Sequence, residues 1–122
     1  MRISMKEADV LSACLQYLAL RGILCWRSNN AGVFDPQRSC FRAFRGLKGV
    51  SDILGIVPSP VLRDGQRSLH GLFLAVEVKR PGGRPSDEQE WFLEEVRRRG
   101  GIGICARSVQ ELEMNLNPYL GG

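Results

Sequence analysis

Apolar residues recur at helical spacing in three stretches of the chain, and a polar capping signal precedes each stretch. In a capping box, a serine and the side chain three residues later each accept a hydrogen bond from the other's backbone N–H group. The three signals are Ser4-x-x-Glu7, Ser86-x-x-Gln89 and Ser108-x-x-Glu111. The pattern predicts helices over residues 4–20 and 86–99, and a short third helix that begins at 108 and ends before Pro118.

Strand-like runs of apolar residues lie between these helices. They are 23–27 (ILCWR), 39–44 (SCFRAF), 51–57 (SDILGIV), 72–79 (LFLAVEVK) and 102–106 (IGICA). Residues 58–71 contain Pro, Ser and Asp-Gly, which is typical of a surface connection between antiparallel neighbours. A helix between the last two runs predicts a β-α-β crossover and a parallel last strand. We therefore expect an α/β fold, a mixed β-sheet flanked by helices in the order α-β-β-β-α-β-α.

Length and composition indicate one domain over residues 1–122. A chain of 122 residues with 43% hydrophobic content can bury one sizeable core but not two. No apolar run approaches the roughly 20 residues of a membrane span, and the amino terminus has no signal-peptide segment, so we expect a cytoplasmic protein. The four cysteines lack C-x-x-C spacing, which favours buried thiols over zinc ligands or disulfides. His70 is alone, which favours a surface loop histidine over a zinc ligand or a catalytic base.

The run at 72–79 carries two charged residues in an apolar context. Alternation along a strand places Glu77 and Lys79 on one face. Buried charges are tolerated when they pair, bind an ion or line a wet cleft. Antiparallel pairing with the run at 51–57 would bring Asp52 close to Glu77. A divalent ion such as Mg²⁺ would relieve the repulsion between the two carboxylates, and a plain ion pair with Lys79 is the simpler alternative.

The order of these residues resembles the PD-(D/E)XK nuclease signature, with Ser51 where that motif often has proline. Three longer segments resemble the VRR-NUC family within that superfamily, and an earlier one resembles its Asn-rich loop. These segments are KGVSDILGIV, FLAVEVKRPGGRPSDEQEWF and RRRGGIGICARSVQEL, with WRSNNAGVF as the loop. The similarity extends from Glu7 to about Leu112. It implies a free-standing VRR-NUC domain with a restriction-endonuclease-like core.

The resemblance implies a metal site and a catalytic lysine. It assigns Asp52 and Glu77 as ligands of Mg²⁺ or Mn²⁺, with the carbonyl of Val78 completing the shell, and Lys79 as the catalytic lysine.

Two helix residues match further site positions of the family. Glu7 corresponds to an acid that reaches toward the metal, and Gln89 corresponds to a site residue of the second helix. Each is also the third residue of a predicted capping box and would there bond back to its serine. Glu7 nevertheless continues the apolar stripe of its helix, an unusual place for a solvated capping residue. The other members of that stripe are Leu11, Cys14 and Leu18.

Polar and basic residues beside these motifs form a candidate nucleic-acid surface. They are Asn29, Arg42, Arg45 and Lys48 before the Asp52 strand, and Arg80 and Arg84 after the Glu77 strand. Cations of this kind can hold a phosphate backbone, although the segment before Asp52 also suits an ordinary solvated strand. The net charge of +4 permits a polyanionic partner without requiring one. Trp91 and Phe92 are predicted to lie in the core.

The resemblance implies a Mg²⁺- or Mn²⁺-dependent endodeoxyribonuclease that hydrolyses phosphodiester bonds and acts in DNA repair. Free-standing members from phages and bacteria resemble homodimeric Holliday junction resolvases, whereas the domain within larger proteins acts on flaps. A two-fold dimer presents two equivalent sites to a four-way junction, so we expect a homodimer that recognises branched DNA by shape. The alternatives are a flap, nick or sequence-specific endonuclease of the same superfamily, and a non-catalytic DNA-binding module.

Overall fold

The computed structural model describes residues 6–28, 33–35, 37, 40–42 and 47–120, with the backbone alone at 33–35, 40–42 and 62. The helices are α1 (Glu7–Leu20), α2 (Asp87–Arg98) and α3 (Val109–Leu116), followed by a 3-10 turn at Asn117–Tyr119. The strands are β1 (Leu24–Arg27), β2 (Val33–Asp35), β3 (Cys40–Arg42), β4 (Ile53–Arg63), β5 (Gln66–Val78) and β6 (Ile102–Ala106). None of the helices in these ranges is long and apolar enough to cross a bilayer.

Four strands form one mixed sheet in the order β1-β4-β5-β6. β4 pairs antiparallel with β1 and β5, whereas β6 runs parallel to β5 after the α2 crossover. This confirms the predicted α/β architecture and the parallel last strand. β2 and β3 form a separate antiparallel pair. β2 was not predicted, because three residues inside an Asn-rich segment give too short a pattern to distinguish a strand from a loop.

The two faces of β5 pack against different helices, as its alternation requires. Leu74, Val76 and Val78 belong to the main core with residues of α1 and α3. Ala75 points to the other face and packs with residues of α2. Glu77 follows on the α2 face and is 1% exposed. The α2 side of the sheet therefore carries the polar chemistry, while the opposite side is apolar.

Helix starts are set by capping, and two of the three predicted starts are confirmed. The Ser86 and Ser108 hydroxyls accept hydrogen bonds from the N–H groups of Gln89 and Glu111. The first start was wrong, because α1 begins at Glu7 with Lys6 as its N-cap residue. The Lys6 N–H donates to the Asp9 carboxylate at 3.2 Å, which gives the first turn its acidic cap. Ser4 lies outside the described residues.

Residues 58–71 are strand rather than the predicted surface connection. β4 and β5 continue through this segment and pair in register from Pro58 with Gly71 to Arg63 with Gln66. Asp64 and Gly65 alone form the turn, both with positive φ, which is the backbone required by a tight two-residue hairpin loop. Asp-Gly therefore predicted the turn correctly. The prolines led to the prediction of a loop where the structure has strands on either side of the turn.

Candidate active site

The register of β4 against β5 brings the two predicted metal-ligating acids together. Ile53 lies opposite Val76, so the next row beyond the ladder places Asp52 opposite Glu77. The Val78 N–H donates a 2.7 Å hydrogen bond to Asp52 Oδ2, which ties this carboxylate to the neighbouring strand. The Ser28 N–H donates to the Asp52 carbonyl at 2.7 Å from the β1 side. Asp52 is thus held on both sides by the sheet.

Glu77 is buried without full hydrogen bonding. Its Oε1 lies 3.5 Å from Lys79 Nζ, and the two side chains are 1% and 16% exposed. Its Oε2 has no hydrogen-bond partner among the described residues. Burial, reinforced by the negative charge of Asp52 and opposed by the Lys79 ammonium, raises the pKa of Glu77 to about 8. The metal-free protein therefore keeps a proton on Glu77 at neutral pH.

These residues fit a hard divalent cation. Mg²⁺ and Mn²⁺ prefer carboxylate and carbonyl oxygens, and the orphaned Oε2 of Glu77 is a buried oxygen in need of a partner. A cation would favour the charged form of Glu77 in place of the proton. Within the described ranges, no three His, Cys, Asp or Glu side chains gather closely enough to hold a metal. The two carboxylates of Asp52 and Glu77 are thus the acidic contribution of the described part of the chain.

Glu7 does not join these two acids in a group of three. The prediction that it continues a buried stripe was wrong, because Glu7 is exposed at the first position of α1. The buried stripe begins one turn later and consists of Val10, Cys14 and Leu18. The assignment of Glu7 as a metal ligand stays a prediction that depends on the family resemblance.

The side chain of Gln89 forms part of the N-terminal cap of α2. Its Oε1 accepts a 2.8 Å hydrogen bond from the Ser86 N–H, so the capping box is complete. The same turn of α2 packs directly against the segment before Asp52. A Cβ on Gly49 would lie 2.2 Å from the Glu88 carbonyl oxygen, and the φ of Gly49 is +81°. This contact holds the start of α2 beside the strand that carries Asp52, while a catalytic role for Gln89 stays a prediction.

The predicted nucleic-acid surface is described in part. We call the opposed acids Asp52 and Glu77 the carboxylate row. Lys48, Arg80 and Arg84 are exposed on segments that flank this row. Arg42 lies in β3, where only the backbone is described. Arg45 and Asn29 lie outside the described residues. A contact with DNA stays a prediction for all six.

Arg107 was missed by sequence reasoning, although it braces the loop after Lys79. Its Nε donates a 2.7 Å hydrogen bond to the Gly83 carbonyl, and a terminal guanidinium nitrogen pairs with Glu111 at 3.1 Å. The loop from residue 80 to 85 carries Arg80 and Arg84, so this brace positions the candidate DNA contacts. No local pattern reveals it, because its partner carbonyl is 24 residues away in the chain.

Two other sequence predictions have mixed outcomes. Phe92 is buried as predicted, but Trp91 is 49% exposed, which makes its assignment to the core wrong. α2 covers the β5 side of the sheet with a face that includes Phe92, Leu93 and Val96, and Trp91 falls outside that face. The prediction of buried thiols is confirmed for Cys14, whereas Cys25 and Cys105 are half-buried. Cys105 lies on β6 directly beside Glu77 in the parallel register.

The chain matches one family model over most of its length. The VRR-NUC domain model matches residues 5–110. Neither the curated proteins nor the solved structures include a significant match to the chain. The match covers the carboxylate row, the lysine and the crossover helix. The chain therefore belongs to the VRR-NUC domain family, a family of nucleases.

Proposed function

We propose that this chain is a Mg²⁺- or Mn²⁺-dependent DNA endonuclease with Asp52, Glu77 and Lys79 as its catalytic set. The observation that carries the proposal is the buried pair of carboxylates with a lysine alongside. A buried Glu77 with an unpartnered oxygen costs free energy of folding, and a plain structural ion pair would not require Asp52 beside it. An ion site explains all three residues together.

Each residue has a role that follows from its position. Asp52 and Glu77 would hold the ion, with Asp52 aimed by the Val78 N–H and the Val78 carbonyl as a further oxygen ligand. Bound Mg²⁺ or Mn²⁺ supplies a water of lowered pKa and offsets charge on the phosphate. Lys79 is partly exposed beside Glu77, so its ammonium can orient the attacking water or donate a hydrogen bond to a phosphate oxygen. Glu77 would have to lose its proton to hold the ion, so ion binding would depend on pH.

The substrate within this proposal is branched DNA. Phosphodiester bonds at a four-way junction are cut in pairs, and one chain supplies one carboxylate row. A homodimer with two-fold symmetry would present two such rows, which suits a Holliday junction resolvase that recognises DNA shape. A flap, nick or sequence-specific endonuclease would use the same residues on a different DNA.

The proposal is tested by cleavage of labelled four-way junction, flap and linear duplex DNA in Mg²⁺, Mn²⁺ or EDTA. The wild type is compared with Lys79→Ala and with the matched control Arg98→Gln, which removes a positive charge from the exposed surface of α2. Metal-dependent paired nicks in opposing junction strands, reduced by about 1,000-fold or more in Lys79→Ala alone, are the expected result. Cleavage of flap or duplex instead would replace the substrate and keep the chemistry. Binding of junctions without cleavage would leave a non-catalytic DNA-binding module.

A further inference from the structure

The hairpin of β4 and β5 extends well past the sheet to which it belongs. β1 pairs with β4 only as far as Ile56, and β6 begins opposite Leu74. Beyond the buried Val57, the two strands pair with each other as far as the turn, and no other described strand pairs with them there. We call residues 58–71 the arm. Its six paired rows, at about 3.3 Å per residue, make a ribbon on the order of 20 Å long.

Most of the arm lacks the packing that normally stabilises strands, since Ser59 and Val61 are its only half-buried residues among those whose side chains are described. Residues 63–71 are all exposed, and Leu69 is 73% exposed. His70 lies on this ribbon rather than on a loop as predicted. A two-stranded ribbon without a covered face is marginally stable by itself, so the tight Asp64-Gly65 turn must contribute much of its stability. Such an exposed element gains stability when a partner covers it.

Both edges of the arm carry residues that oppose the addition of another strand. The Val78 N–H points toward β4, and alternation along the register then points the nitrogens of Pro58 and Pro60 away from β5. Proline has no N–H to donate, so the β4 edge lacks these two donors. The outer edge of β5 carries Arg67, a charged residue of the kind that discourages edge pairing. A β-strand of another protein is thus a poor partner.

The charge of the arm favours a polyanion. Arg63 and Arg67 lie near the tip with one acid, Asp64, in the turn between them. The register places these arginines on opposite faces of the ribbon, so each face presents near the tip a cation that could contact a phosphate. The major groove of B-DNA admits a two-stranded β-ribbon. Duplex DNA therefore matches the shape and the charge of the arm.

The separation between arm and carboxylate row matches a DNA dimension. Glu77 lies eleven residue steps from Gln66 along β5, which corresponds to about 36 Å of strand. One helical turn of B-DNA is about 34 Å, or about 10 base pairs. We propose that the arm binds duplex DNA about one helical turn from the scissile phosphate. This inference rests on the proposed nuclease site, and it adds a contact that sets how much duplex the substrate must have.

The experiment measures affinity for DNA as a function of duplex length. Fluorescent branched DNA with one duplex arm of about 6, 8, 10, 12, 16 or 20 base pairs is titrated in EDTA, so that binding is separated from cleavage. In one variant, Asn-Gly replaces residues 58–71 and joins Val57 to Leu72, which already face each other in the register. The second variant, Arg63→Gln/Arg67→Gln, keeps the ribbon. The matched control, Arg21→Gln/Arg98→Gln, removes the same charge from exposed helix ends.

For wild type and control, we expect affinity to rise about tenfold as the duplex passes about 10 base pairs, and the arm-less variant to lose this step. The Arg63→Gln/Arg67→Gln variant should reduce the step and lower the slope of log Kd against log salt by about 2. If the arm-less variant does not fold, as judged by circular dichroism, the arginine pair decides alone.

Two results would overturn the inference. One is an unchanged length dependence in both arm variants. The other is that light scattering shows the arm-less variant to be a monomer and the wild type a dimer, while the dependence of affinity on duplex length stays intact. That result would mean that the arm binds a second copy of the chain. Failure of the proposed function gives a different pattern, because a protein that cuts no DNA can still show the length step. Cleavage without any step would retain the nuclease and reject the arm.

Discussion

The two ends of the β4–β5 hairpin are built from the same pair of strands but meet opposite physical conditions. At the carboxylate end, β1 and β6 flank the hairpin and helices cover both faces, so Glu77 is 1% exposed. At the arm end, no other described strand pairs with the hairpin, and most of the described side chains are exposed. Arg67 is solvated there at little cost, whereas Glu77 is desolvated at a cost in folding free energy. Burial, rather than charge alone, distinguishes a candidate catalytic residue from a surface one.

The largest difference between the two ends should appear in the pH dependence of folding. Because the pKa of folded Glu77 is raised to about 8 and the unfolded pKa is near 4.5, the unfolded chain releases its proton first as pH rises. The contribution of Glu77 to the free energy of unfolding is therefore fully present below pH 4.5. It decreases as pH rises from 4.5 to 8 and is lost above pH 8. At about 1.4 kcal/mol per pKa unit, the loss amounts to a few kcal/mol.

Urea unfolding of the metal-free protein between pH 5 and 9 measures this effect. Glu77→Gln should flatten the decline, since a neutral amide cannot release a proton. The matched control is Asp64→Asn, which removes a carboxylate from the exposed turn of the arm. An equal slope in the wild type and Glu77→Gln would contradict the assignment.

Two glycines with similar backbone angles sharpen the comparison further. Gly49 and Gly65 have φ of +81° and +74°, but a Cβ on Gly49 would collide with the Glu88 carbonyl while Gly65 faces open space. Gly49→Ala should therefore destabilise folding by about 3 kcal/mol, and Gly65→Ala by about 1 kcal/mol from the backbone conformation alone. Urea denaturation of both variants tests the difference. Equal losses would mean that the start of α2 can move away from the segment before Asp52.

Metal should stabilise the carboxylate end specifically. Mn²⁺ or Mg²⁺ at about 100 times its Kd should add about 2.7 kcal/mol to the free energy of unfolding. Asp52→Ala should abolish this gain in thermal unfolding curves, whereas Asp64→Asn at the arm should retain it. The absence of a gain in the wild type would support the non-catalytic alternative.

The smallest expected effect concerns the brace on the loop after Lys79. Arg107→Ala removes hydrogen bonds to Gly83 and Glu111 and should cost about 1 kcal/mol of folding stability. Glu111→Gln, which keeps the Gly83 bond, should cost less in the same urea titration. A larger loss for Glu111→Gln would show that the ion pair, and not the loop contact, is the main function of Arg107.

The success and failure of sequence reasoning follow the same division between the two ends. Alternation of apolar and polar residues revealed the faces of β5 and brought Asp52 to Glu77, because a buried strand must obey that period. The arm carries no such constraint, so Pro58 and Pro60 were interpreted as a loop. Their placement on an open edge is a property of the sheet, which one segment of sequence cannot reveal.

Contacts that depend on tertiary geometry were also beyond the sequence. The bond from Arg107 to Gly83 requires β5 and β6 to lie side by side, and the exposure of Trp91 depends on where the covered face of α2 ends. Glu7 was predicted to continue the buried stripe, but it is the first residue of α1 after the N-cap Lys6 and lies in the exposed first turn. The family motif predicts the chemistry of the candidate site, while packing determines which side chains lie at it.

The hairpin turn has a consequence for insertions and deletions. Exposed loop tips usually tolerate added residues, and the Asp64-Gly65 turn is such a tip. Here, a single inserted residue that slipped β4 by one position against β5 would exchange the faces of every side chain on β4, and Asp52 would point away from Glu77. Removal of a whole paired row, one residue from each strand, keeps Asp52 opposite Glu77. The arm should therefore vary in length between related chains in steps of two residues, or compensate an odd step with a β-bulge.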